Sequence, residues 1–422
     1  MSTTIPALAE AVDLSDPEDI VDAMMHRAPL ALPGDDTPWE MYRALRDQAP
    51  IFKSRHGVTV VTRYRDCLAT LRHPTMDLGF RMRADAAAGV VAAQLMAPTM
   101  LYFEDPVDTM RQRRLMRGAF TRQAVVHRQP ELDALVDDVL ARCAEMGSFD
   151  FMNDFADHIP VAVMCSVLGV PREDVPIFRD WTRRSAPATG AVVNEDDAKD
   201  IELAFVGLRD YMTGLVAERR KAPGEHDLLS VMIRASEGDE AVLSSEELIA
   251  LAIFALSAGS DTTTQLVTSA AYTLSRFPAE QAKLRADRAL MPDALEEMIR
   301  HSGPVHYAQP RLVMERPLQL DGYEVPVGDV VWTSVPGANR DPEQFPDPDT
   351  VDFERRDIRH LGFSQGMHLC IGAMLARLEA TTVMNRFLDW FSAYEVTEDQ
   401  IDYVDFGTMR GIRTLNMTTQ RA

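Results

Sequence analysis

Apolar positions recur with a period near 3.6 through most of this chain and alternate only in short runs. That pattern predicts a mainly helical protein with small β-sheets. Residues 38–46 read as a short amphipathic helix. A strand pair follows at 50–53 and 58–61, turning near His56 and Gly57, and helical spacing returns over 65–71. Residues 79–100 hold small residues and methionines without a clear period, as expected of a functional loop or lid. Asp105-Pro106 opens a helix that runs through Arg117. Successive helices are predicted between 130 and 240, one of them 151–168, with a break into small residues around 185–190.

Ser244-Ser245-Glu246-Glu247 is a capping-box start. From it an apolar helical pattern continues to about Arg276 and is stopped by Pro278. A helix of roughly 30 residues spans about 45 Å. Being apolar nearly all round, it is expected to run through the centre of the molecule. In its middle sit Ala258, Gly259, Ser260, Asp261, Thr262 and Thr263. An acid and hydroxyls inside a buried helix are costly without partners, unless they simply mark a kink. A helix over 294–300 places Glu297 and Arg300 on one face. A hairpin with an Asp321-Gly322 turn, a strand over 330–334 and a Pro/Asp-rich meander over 339–360 come next. Short strand-like pieces end the chain. Residues 1–35, broken by Pro29, Pro33 and Gly34, are expected to be a poorly ordered lead-in to a single domain over 36–422.

Composition narrows the function. A formal charge of -22 over 422 residues argues against nucleic-acid binding. No positively charged, then apolar, leader is present, and the longest apolar run, 248–258, is too short to cross a bilayer, so a cytoplasmic protein without a membrane partner is expected. The four cysteines, Cys67, Cys143, Cys165 and Cys370, show neither zinc spacing nor a disulfide framework. Against the acidic background, five arginines between Arg111 and Arg122 form a basic patch, although a charge run is usually only a solvated face.

Cys370 carries the candidate chemistry. A lone cysteine is most often a small buried hydrophobe. This one lies in Phe-Ser-Gln-Gly-Met-His-Leu-Cys-Ile-Gly, residues 363–372, directly before a strong helix-forming stretch. A thiol at a helix N-terminus is expected to favour the thiolate, and such a thiolate suits axial ligation of haem iron. Gly366 and Gly372 suggest tight turns or close approach by something flat.

Phe363, Gly366, His368, Cys370 and Gly372 match the cysteine-loop signature of the cytochrome P450 family. Ser364 departs from the usual glycine and is expected to stiffen the loop slightly. Upstream, Ala258-Gly259-x-Asp261-Thr262 resembles the family's oxygen-activating motif. Glu297-x-x-Arg300 resembles its structural pair, with Arg355 as the arginine from the meander that completes it. The resemblance covers roughly residue 38 to the C-terminus and looks like the soluble bacterial branch. It implies the P450 fold, with a long central helix over haem b and the cysteine loop on the proximal side. Cys370 would ligate the iron. Arg113, Arg311 and His368 would hold the propionates, with Thr109 as a shorter partner where the family often has His or Gln. Phe363 would shield the sulfur, and Gly259 would let the central helix approach the haem. Thr262 would hydrogen-bond dioxygen or a water beside it, and Asp261 would relay protons.

The same resemblance implies a monooxygenase that hydroxylates or epoxidises a mid-sized, largely apolar molecule in natural-product biosynthesis or catabolism. Phe254, Ala258, Val305, His306, Tyr307 and Met409 are the substrate contacts it implies, with Gln309 as a further polar anchor. Electrons would come from a ferredoxin and its NAD(P)H-dependent reductase, docking near Arg111, Arg113, Arg114 and Arg117. Alternatives are oxidative coupling, desaturation or peroxide-driven oxidation at the same haem, a non-catalytic haem sensor, and a thiol hydrolase built on Cys370 and His368. The last lacks a third partner.

Overall fold

The computed structural model describes residues 12–26, 37–78, 91–100, 105–186, 195–236, 243–405 and 408–422. Helices dominate, and the largest core packs around the helix Ser245–Arg276. Its 32 residues make it about 48 Å long at 1.5 Å per residue. Ser244 accepts from Glu247 N while the Glu247 carboxylate accepts from Ser244 N, so the capping box closes in both directions. Pro278 opens the next helix, Pro278–Ala286, where its missing N–H costs nothing. The central helix packs against Ile159–Leu168, Glu195–Lys221, Met291–Ser302 and the helix that follows the cysteine loop, Ala373–Trp390.

Among the described residues, twelve short strands form four sheets. In chain order they are β1 (Ile51–Lys53), β2 (Val58–Val61), β3 (Met76–Asp77), β4 (Ser148–Asp150), β5 (Tyr307–Val313), β6 (Leu318–Leu320), β7 (Tyr323–Val325), β8 (Val330–Ser334), β9 (Phe391–Val396), β10 (Asp402–Asp405), β11 (Arg410–Thr414) and β12 (Asn416–Arg421). The largest sheet has order β1-β2-β8-β5-β3. Its β2–β8 pair is parallel and the others antiparallel, so β8 fixes β5 and with it the segment bordering the cavity described below. The Asp-Gly turn joins β6 to β7 as predicted. The meander remains irregular.

Three expectations need correction. Within the supposed lead-in, Pro17–His26 is a helix whose Ile20, Val21 and Met24 bury against Met41, Tyr42 and Leu45 of the helix Thr37–Gln48. Three apolar residues at that spacing make a stripe, which finds cover only in the folded chain. Residues 151–168 are not one helix. A π-turn at Phe151–Phe155 and a 3-10 turn at Ala156–His158 precede the helix Ile159–Leu168, and Pro160, with no N–H to donate, sits in that helix's first turn. Part of the proposed loop at 79–100 is also helical, Val91–Met96, while 79–90 lie outside the described residues.

No helix among the described residues is long and apolar enough to cross a membrane.

Candidate active site

The cysteine loop is shaped by local sequence. Gly366 has φ +70°, and a Cβ there would stand 2.6 Å from the carbonyl oxygen of Leu71, so only glycine fits. Ser364 also adopts a left-handed backbone, φ +61°, and its buried hydroxyl has no partner. Its expected stiffening is therefore a local strain. Cys370 N donates to Phe363 O at 2.9 Å, which closes the loop. Arg113, on the helix Pro106–Met116, donates to Leu369 O at 2.6 Å and clamps the loop from outside.

Cys370 lines a cavity between the central helix and the loop. Burial pushes its thiol up, while the N–H groups of Gly372 and Ala373 and the cations Arg113 and Arg377 pull it down. The expected pull of the helix terminus toward the thiolate is present in the Gly372 and Ala373 N–H groups, but it works against desolvation. The sulfur must lose its proton as it meets a metal. Cys67, Cys143 and Cys165 are buried elsewhere.

On the opposite wall stand Phe254, Ala258, Gly259 and Thr262. Thr262 donates from Oγ1 to Ala258 O at 2.7 Å. The absent side chain of Gly259 is replaced by Met164 from the helix Ile159–Leu168, since a Cβ would lie 2.6 Å from its sulfur. That glycine serves close helix packing as well as the cavity wall. Asp261 is not on the wall. Burial, and then the Asp157 carboxylate, push its carboxyl up to about 7. Asp157 itself accepts from Arg179 Nε at 2.7 Å.

A family model described as Cytochrome P450 matches residues 191–416. The chain is 34% identical over 394 residues to the cytochrome P450 monooxygenase PikC of Streptomyces venezuelae, covering 91% of each. The chain belongs to the cytochrome P450 family. Cyclomarin C epoxidase CymV of Salinispora arenicola is 35% identical over 314 residues, 74% of this chain and 78% of that one. The structure of epothilone D-bound cytochrome P450epoK matches with a TM-score of 0.85 at 27% identity, covering 93% of this chain and 99% of the other.

P450s bind haem b through a cysteine thiolate, and the residues present fit that group. Arg113 and Arg311 line the cavity together with His368, and among the described residues neither arginine has a carboxylate partner. Arg311 is buried and donates to Leu71 O at 3.2 Å, and burial lowers it to about 10. Burial, then Arg311 and Arg113, lower His368 to about 3, so it stays neutral and keeps an N–H to donate. A buried guanidinium such as Arg311 is costly without a counter-ion, and propionate carboxylates at this edge would supply one to it and to the half-buried Arg113.

Phe363 lines the cavity with its ring 4.3 Å from the Arg377 guanidinium. Arg377 in turn grips Glu296 through Nε and Nη2 at 2.6 and 2.7 Å, and His360 joins at 3.1 Å. Burial favours the neutral acid, but these donors win and hold Glu296 at about 2.

Glu297 lies next to it and faces a different set. Arg300 donates to it at 2.7 and 2.8 Å, Arg355 at 3.0 Å and Asp352 N at 3.1 Å. The structure brings these three side chains together, with Glu297 and Arg300 fully buried and Arg355 at the edge of the cluster.

The remaining sequence expectations fare differently from one another. Thr109 is buried, its hydroxyl has no partner and it is not on the cavity wall. His306 turns away from the cavity to stack between Trp39 and Tyr42, with Nδ1 2.9 Å from the Tyr42 hydroxyl. Tyr307 lines the cavity as expected, and its hydroxyl accepts from Tyr42 at 2.9 Å. Met409 is buried against Val305 by a β-bridge, and its neighbour Thr408 reaches the wall instead. The Gln309 side chain lies outside the described residues. Arg111 is held by Asp108 and Glu247, whereas Arg114 and Arg117 are exposed.

Met100, the last residue of the expected loop at 79–100, is on the wall; Met116 and Leu266, also on it, were missed, their only sequence signal being apolarity. Glu379, two turns into the helix behind Cys370, was missed too. This is the only carboxylate on that wall among the described residues, pushed well above its ordinary value by burial.

Proposed function

We propose that this P450 monooxygenase inserts one oxygen atom from dioxygen into a mid-sized, largely apolar natural product, by hydroxylation or epoxidation. The observation that carries the reading is the distal wall itself. Phe254, Ala258, Leu266, Met100, Met164 and Val305 present hydrocarbon and thioether surface, with the Thr262 hydroxyl among them. Such a wall excludes water and takes substrates by shape, and methionine adapts to irregular ones. CymV is named an epoxidase and P450epoK was solved with epothilone D, which supports a natural-product substrate of that size.

Haem b, when bound, supplies oxygen activation under the electron push of the Cys370 thiolate. The chain's own residues do the rest. Thr262 Oγ1 already donates to Ala258 O, so its lone pairs are open to a proton donor in the cavity. Asp261, pushed up to about 7 by burial, exchanges a proton readily at neutral pH and sits one residue away on the same helix. Together they supply protons at the distal wall without admitting bulk water. Electrons arrive from a ferredoxin at the exposed Arg114 and Arg117, beside the Arg113 clamp on the cysteine loop. A basic face on so acidic a chain suits a small acidic protein.

The test is a titration of the ferric protein with polyketides, terpenoids, steroids, small aromatics and small polar compounds such as amino acids, read as the blue shift of the Soret band. A saturable shift with one class supports the proposal. Binding confined to small polar compounds would refute it.

A further inference from the structure

A line of aromatic rings in contact leads out of the haem cavity. Tyr307 lines that cavity and is itself buried. Its ring centroid lies 4.7 Å from that of Trp332 and 6.0 Å from that of Tyr42. The Tyr42 ring stands 6.1 Å from Trp39 and 5.5 Å from His306, and Trp39 stands 4.8 Å from His306. These are the spacings of rings in direct contact. Tyr42 is buried, whereas Trp39 is half-buried and shares with His306 the wall of a second cavity, of about 360 Å³. The line therefore runs from the haem cavity toward the surface, through the small core that joins the helix Thr37–Gln48 to β5. Phenol and indole rings give up an electron far more readily than the aliphatic side chains packed around them.

The hydrogen bonds decide where an oxidising equivalent on this line comes to rest. Tyr42 Oη lies 2.9 Å from the Tyr307 hydroxyl and 2.9 Å from Nδ1 of His306, so its one proton has an acceptor on either side at transfer distance. In the tautomer protonated at Nε2, Nδ1 offers its lone pair to Tyr42. Burial, then Arg410 and Arg340, make His306 a weak base. A phenol that has lost an electron is a stronger acid still, so the proton transfer remains downhill. The other rings are poorer resting places. The Arg340 guanidinium, 4.0 Å from the Trp39 ring, opposes positive charge on that indole. Trp332 Nε1 is buried without a hydrogen-bond partner, so its proton has no base to go to.

We propose that Tyr307, Tyr42 and Trp39 form an escape route for oxidising equivalents that no substrate consumes, with Tyr42 as the residue that holds the radical. One electron leaves Tyr42 by way of Tyr307 for the oxidant in the haem cavity. The phenolic proton moves to Nδ1 of His306, which leaves a neutral tyrosyl radical beside an imidazolium. A soluble one-electron reductant of the ascorbate class, reaching Trp39 from solution, returns the electron, and His306 returns the proton. The pair is restored and only the reductant is consumed.

The experiment mixes the haem-loaded ferric protein with peracetic acid in the absence of substrate, freezes it within milliseconds and records its electron paramagnetic resonance spectrum. Of the two electrons that convert peracetic acid to acetic acid and water, Tyr42 supplies one and the haem group the other. A radical signal is expected whose hyperfine pattern collapses in protein made with ring-deuterated tyrosine. Tyr42→Phe is expected to lose that signal. His306→Phe, which keeps a ring and removes the base, is expected to shorten its lifetime. Trp39→Phe is expected to keep the signal but slow its quenching by ascorbate. The Soret spectrum confirms that each variant still holds haem. No tyrosyl signal in the wild-type protein, an undiminished signal in Tyr42→Phe, or lifetime and quenching unchanged in the other two variants would overturn the proposal.

Discussion

Glu297→Gln isolates what the buried cluster contributes. The wild-type carboxylate accepts four hydrogen bonds, three of them from guanidiniums, with no exposure of its side chain. Glutamine keeps one acceptor oxygen but sets an amide N–H against one of the donors, either Arg300 Nε or the group around Oε1. It also leaves two guanidiniums without their anion. Removing one partner of a buried pair costs about 3–5 kcal/mol. Arg300 still donates to Asn339 O, Pro348 O and Thr350 O, and Arg355 to Pro346 O and Asp347 O. Those acceptors place the expected loss at the lower end, about 3 kcal/mol. The assay is urea denaturation of the haem-loaded protein, followed by Soret absorbance and far-ultraviolet circular dichroism. Arg356→Gln is the reference, because its pair with Asp293 is exposed on both sides and should be worth less than about 0.5 kcal/mol. If Glu297→Gln unfolds within about 1 kcal/mol of wild type, the cluster is not a keystone and the reasoning fails.

Thr262→Ala removes the hydroxyl at the distal wall. Product per NAD(P)H should fall by roughly tenfold or more, with peroxide released instead, and unchanged coupling would exclude Thr262 from proton supply. Asp261 has a folded pKa of about 7 against an ordinary 3.8, so the native state holds more protons than the unfolded one between those values. Stability should fall as pH rises from about 4 to about 7. Asp261→Asn should flatten that part of the urea-midpoint profile, and an unaltered slope would show that Asp261 is not the group responsible. Charge reversal at Arg114 and Arg117 should slow reduction by ferredoxin about tenfold at low salt, with the difference fading at high salt. Arg111→Gln should have little effect because Asp108 and Glu247 already neutralise that charge, and equal rates in all three variants would remove the docking face.

The parts legible in the sequence share one property: their determinants are neighbours along the chain. The capping box at Ser244 and Glu247, Gly366 in a turn only glycine tolerates, and the spacing around Cys370 are fixed by residues within a few positions of one another. The family, and the haem that goes with it, therefore followed from ten residues and two short helical motifs. What the sequence could not decide was which way a side chain faces once distant elements close over it. His306 turns away because Trp39 and Tyr42, more than 260 positions earlier, make a slot for its ring. Arg111 leaves the basic face because the cap residue Glu247 lies beside it. Glu296 and Glu297 are adjacent in sequence yet serve different arginines, Arg377 under the haem site and the Arg300–Arg355 cluster. The thiol of Cys370 follows the same rule. Its loop is written locally, but its proton affinity also depends on desolvation in the cavity and on Arg113 and Arg377, which only the packed molecule brings beside it.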